Sequence, residues 1–74
     1  MNATEMKLAE AILKHLVEFA SGGEAVSFLL KTLQQDGWKG LGNTADFETT
    51  CRNLGFIVRK ARNSRGQLRT EVAL

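Results

Sequence analysis

The sequence predicts an α+β fold, three helices followed by a C-terminal β-hairpin, in a single domain over residues 1–74. Three observations carry that prediction. Two apolar stripes with helical i, i+3, i+4 spacing fill residues 4–35. After Gly55 the period changes to the alternation of strands, with the turn signal Asn63-Ser64-Arg65-Gly66 in its middle. The length of 74 residues allows one small core, because a chain this short buries only about 60% of the surface it exposes when unfolded.

The first helix is expected from about Thr4, read as its N-cap, to Ala20. Met6, Ala9, Ile12, Leu13, Leu16, Val17 and Ala20 form its inward face, widened by Leu8 and Phe19. Lys7 stands where a capping box on Thr4 would carry Glu. Glu10 and Lys14 form an i, i+4 pair on the outer side. Ser21-Gly22-Gly23 ends the helix, with Gly as its left-handed terminating residue.

A second helix is expected from about Glu24 to Gln35, with Glu24 favoured in the first turn by the helix dipole. Its stripe is Val26, Leu29, Leu30 and Leu33, with Ala25 and Phe28 beside it. Residues 36–42 hold three Gly and form a loop, which Trp38 and Leu41 pin to the core. Asn43 or Thr44 caps a third helix running to about Leu54, with Phe47, Cys51 and Leu54 inward. Phe56-Ile57-Val58 then opens the hairpin, and Leu68, Thr70, Val72 and Leu74 alternate along its return strand. Gly66 in the left-handed position after a type I turn opposes Ile57 to Val72 and Ala61 to Leu68. A loop one residue longer opposes Val58 to Val72 and Arg59 to Glu71. The sequence leaves both registers open.

Composition narrows the function. Hydrophobic residues make up 43% and charged residues 24%, which is ordinary for a globular domain. One Cys and one His make neither an internal disulfide nor a metal-ligand cluster, so no cofactor or metal is expected. No basic-then-apolar leader and no apolar run of about 20 residues occurs. A cytoplasmic chain with no membrane association is the expectation.

The net charge of +2 conceals an asymmetry. Residues 1–36 carry three basic and five acidic side chains, a net −2, and residues 37–74 carry seven basic and three acidic, a net +4. Between Glu48 and Glu71 there are six basic residues, five of them Arg, and no acid. Such a block creates a local positive potential, and arginine suits bidentate phosphate contact. A solvated hairpin is the plainer reading of the same residues.

The element order, the sequence Leu54-Gly55-Phe56-Ile57 after an inward Phe47/Cys51 face, and the basic loop before a closing strand resemble the winged helix-turn-helix family of DNA-binding domains. The resemblance covers nearly the whole chain as a pattern, and its compact format is similar to small bacterial or phage regulators. It implies a winged-helix-like fold and DNA binding. The third helix would enter the major groove with Asn43, Thr44, Thr49, Arg52 and Asn53. A hairpin wing would reach the backbone with Arg62, Asn63, Ser64, Arg65 and Gln67, and Arg59, Lys60 and Arg69 would contact phosphate. The sequence departs from the family pattern at three points. The loop from Asp36 to Asn43 is long and Gly-rich. Asp46 and Glu48 lie on the reading helix. Ser21-Gly22-Gly23 leaves no strand between the first two helices.

No residue set points to catalysis. Cys51 reads as an inert core thiol, His15 as a surface or boundary residue and Trp38 as a core-edge anchor. The glycines at 37, 40 and 42 lack the preceding strand and following Gly-Lys-Ser/Thr of a phosphate loop. A DNA-binding regulator of transcription or of a mobile element, not an enzyme, is therefore expected. Its partners would be DNA and, through homodimerisation, a second copy of the chain. A protein-interaction, adaptor or inhibitor domain on the same scaffold is the alternative.

Overall fold

The computed structural model describes residues 1–74. Its elements run α1 (Ala3–Phe19), β1 (Glu24–Ala25), α2 (Val26–Gln35), α3 (Thr44–Asn53), β2 (Ile57–Arg62) and β3 (Leu68–Ala73). The α+β class and the C-terminal hairpin are as the sequence predicts. The strands form one antiparallel sheet in the order β1-β3-β2.

α1 begins two residues earlier than its apolar period suggests. Asn2, not Thr4, is the N-cap, and the capping box is complete. Its Oδ1 accepts from the Glu5 backbone N–H at 2.8 Å, and the Glu5 carboxylate accepts from the Asn2 N–H at 3.3 Å. The helix buries Leu8, Ile12 and Leu16. Met6, Leu13 and Val17, expected inward, are 52%, 46% and 59% exposed. At 100° per residue their stripe lies about 120° around the helix from the buried one. The predicted apolar arc is thus wider than the single core can cover. Phe19 is exposed as well.

α2 starts at Val26, two residues later than expected, because Glu24 and Ala25 form β1 instead. They pair with Val72 and Glu71 of β3. The short strand that Ser21-Gly22-Gly23 is too small to supply therefore lies just beyond it. Val26, Leu29, Leu30 and Leu33 are buried as predicted, and Phe28 is exposed. Leu41 is buried and Trp38 packs partly buried against the core, so both pin the interhelical loop.

In the hairpin the longer-loop register is the one adopted. Val58 opposes Val72, Arg59 opposes Glu71, and Lys60 opposes Thr70. Gly66 does take the left-handed conformation, with φ +79°. The loop nevertheless closes one residue later, where the Asn63 N–H donates to the Gln67 carbonyl at 2.9 Å. This register pairs an arginine with a glutamate and sets both valines on the core face. The shorter one would have set Lys60 against Arg69, and like charges directly opposite each other destabilise a sheet.

The core joins all layers. Ile12 and Leu16 of α1, Leu29 of α2, Phe47 and Cys51 of α3 and Val72 of β3 have no exposed surface. No helix is long and apolar enough to cross a membrane.

Candidate nucleic-acid interface

α3 owes its start to Asn43. The Asn43 Oδ1 accepts from the Asp46 N–H at 2.8 Å, and the Asp46 carboxylate accepts from the Asn43 N–H at 3.1 Å. Asn43 is therefore engaged as the cap, and Asp46 has a structural duty at the positive end of the helix dipole. Glu48 is also engaged, 3.9 Å from Arg52 one turn on. Both acids on this helix thus have intrachain reasons to be there.

With Phe47 and Cys51 inward, the exposed residues of α3 are Ala45, Asp46, Thr49, Arg52 and Asn53. Thr49, Arg52 and Asn53 share this outward side, and Thr44 is half-buried at its edge. The Thr49 hydroxyl donates to the Ala45 carbonyl at 3.3 Å. Polar residue types alone do not point to Ala45, which is exposed on the same side. Its exposure follows from the i, i+4 and i, i+7 spacing to Thr49 and Arg52.

The hairpin's cations divide into two groups. Arg59 and Arg69 gather around Glu71, which is 8% exposed. Arg69 donates from Nε at 2.8 Å and lies 2.7 Å away through Nη2, both at Glu71 Oε2. Arg59 Nη2 lies 3.8 Å from Glu71 Oε1 and donates to the Gly22 carbonyl at 2.7 Å. This network ties the hairpin to the α1–β1 turn. Gly23 stands against it with φ +122°, and a Cβ there would come within 2.9 Å of Glu71 Oε1.

Lys60, Arg62 and Arg65 form the other group. Lys60 Nζ donates to Thr70 Oγ1 at 2.6 Å, and Arg62 Nη1 to the Gly66 carbonyl at 2.6 Å. Arg65 uses only its backbone N–H, which donates to Asn63 Oδ1 at 2.9 Å. None of these three faces an acid, and all are exposed. Asn63 itself organises the loop, since its Oδ1 also accepts from the Gln67 N–H and its Nδ2 donates to Gln67 Oε1. Ser64 and Gln67 are exposed at the tip.

Compared with protein-family models, curated proteins and solved structures, the chain matches none.

The remaining chemistry-bearing side chains lie elsewhere. His15 Nε2 is 3.2 Å from Glu24 Oε2, a contact that joins α1 to β1. Cys51 is fully buried, and burial pushes its pKa up to about 12. A thiol in that state is a poor nucleophile. No group of three or more His, Cys, Asp or Glu side chains is placed to hold a metal ion.

Proposed function

We propose that the chain is a DNA-binding module of the winged-helix type, serving in the regulation of transcription or of a mobile element. α3 would lie in the major groove, and the β2–β3 hairpin would follow the neighbouring backbone. The observation that carries this reading is the set of three exposed cations on the hairpin, Lys60, Arg62 and Arg65, with no acid beside any of them. The short strand β1 and the tight passage from α3 into β2 add to the resemblance.

Roles follow from side-chain chemistry. Arg62 and Arg65 present guanidinium groups that match phosphate oxygens, and Lys60 adds a point charge. Arg52 can donate to guanine and Asn53 can pair with adenine, while Ala45 and the Thr49 methyl suit the thymine methyl. Asn43, Asn63 and the Arg59–Glu71–Arg69 network hold these groups in place. An adaptor reading draws on a different observation, the exposure of Phe19 and Phe28 on the helical side of the molecule.

Binding of a mixed-sequence duplex in a salt series tests the proposal. Non-specific binding at about 50 mM salt is expected, weakening steeply as salt rises. Absence of binding at that concentration would remove the DNA reading and leave the adaptor one.

A further inference from the structure

We infer that the chain self-associates through the outward face of α1, as an antiparallel dimer with two-fold symmetry. Met6, Leu13 and Val17, spaced seven and four residues apart, form an apolar stripe on this 17-residue helix, each about half exposed. Ala9, half-buried, borders the stripe on the flank away from Glu10 and Lys14.

The charges beside it identify the occupant. Glu10 and Lys14 lie one turn apart along one flank of the stripe, both exposed. The sequence predicts that they pair with each other, but neither enters any of the chain's four ion pairs. Two helices related by a two-fold axis across their contact bring this flank against its own copy with the chain direction reversed. With the axis near residue 12, Glu10 meets the partner's Lys14 and Lys14 meets the partner's Glu10. In the same arrangement Met6 comes opposite the partner's Val17, and Leu13 lies close to the axis. Each contact is thus made twice, as an isologous interface requires. A parallel pair would instead set this flank against the opposite one, which carries Ala9 and the buried Leu16 and no cation.

The size of the face sets the strength. A helix of 17 residues is about 25 Å long, and one such contact falls short of the roughly 1,200 Å² of a standard stable interface. The dimer is accordingly expected to be weak, with a dissociation constant on the order of 100 µM. This inference does not rest on DNA binding, and it is tested without nucleic acid.

Sedimentation equilibrium over about 10 µM to 1 mM reads it directly. The expected result is a monomer–dimer equilibrium in the upper part of that range. Leu13→Glu should remain monomeric throughout, with unchanged helical circular dichroism, because the side chain is exposed. Glu10→Lys should weaken the dimer about fivefold by setting lysine against lysine. Adding Lys14→Glu to it should restore the wild-type constant, since the two reversals reconstitute the pairs. A wild-type monomer at 1 mM, an assembly larger than a dimer, dimerisation retained by Leu13→Glu, or no rescue by the double reversal would each overturn the inference. A different protein or chain segment on this face would appear as the first of these.

Discussion

Cys51 illustrates how a single buried group sets a pH limit. Burial disfavours its thiolate and raises its pKa from the ordinary 9.0 to about 12 in the folded state, with Arg52 opposing and Glu48 reinforcing the shift. The unfolded chain therefore loses this proton first as pH rises. The stabilisation is complete below pH 9 and is lost between pH 9 and about 12. Urea midpoints measured over that range should fall for the wild type, and Cys51→Val should flatten the decline. Asn43 is the other residue whose role is confined to one contact pair. Asn43→Ala should lower stability by about 1 kcal/mol by removing the cap of α3, which thermal unfolding would register. The sequence offers Asn43 or Thr44 as the cap, and Asp46 looks like a defect in a reading helix until the Asn43–Asp46 capping box is seen. The box at Asn2 and Glu5 is hidden for a related reason. Thr4 stands nearer to the first apolar residue and draws the expected boundary inward.

The hairpin shows how elements are held together by a buried acid. Glu71 is the one buried charged residue, and its two arginines are each only partly exposed. Glu71→Gln should cost about 1–3 kcal/mol, because both guanidiniums lose a charged acceptor in a partly desolvated site. Gly23→Ala should cost about 1–2 kcal/mol from the left-handed backbone alone, with the approach to Glu71 adding to it. Chemical denaturation measures both. The two changes differ in their effect on charge. Glu71→Gln leaves Arg59 and Arg69 without a counter-ion, so it should strengthen DNA binding at low salt while weakening the fold. At this scale the sequence reveals the helices better than the strands. α2 and α3 carry enough apolar positions to declare their period. β1 has two residues and no period to show, and it exists because β3 offers a free edge. The hairpin register depends on which side chains meet across the strands, Arg59 with Glu71 and Val58 with Val72, so both registers are compatible with the turn alone. The outward stripe of α1 is likewise invisible as such, since an apolar residue facing solvent has the same letter as one facing the core.

The whole molecule separates its charge. An acidic pair of N-terminal helices carries a net −2 and the rest a net +4, and the basic residues of that half outside any ion pair are Lys39 in the interhelical loop and the hairpin cations Lys60, Arg62 and Arg65, all exposed. The block between Glu48 and Glu71 is plain in the sequence. Its division into cations held by Glu71 and cations facing solvent needs the strand pairing. The measurement that bears most directly on DNA binding is the salt dependence of duplex affinity for the wild type beside Arg62→Ala/Arg65→Ala. Each phosphate contact contributes about 0.9 to the slope of log K against log salt, so the double variant should bind more weakly with a slope shallower by roughly 2. Equal slopes and affinities for the two proteins, or no binding by either at about 50 mM salt, would contradict a hairpin that grips the phosphate backbone.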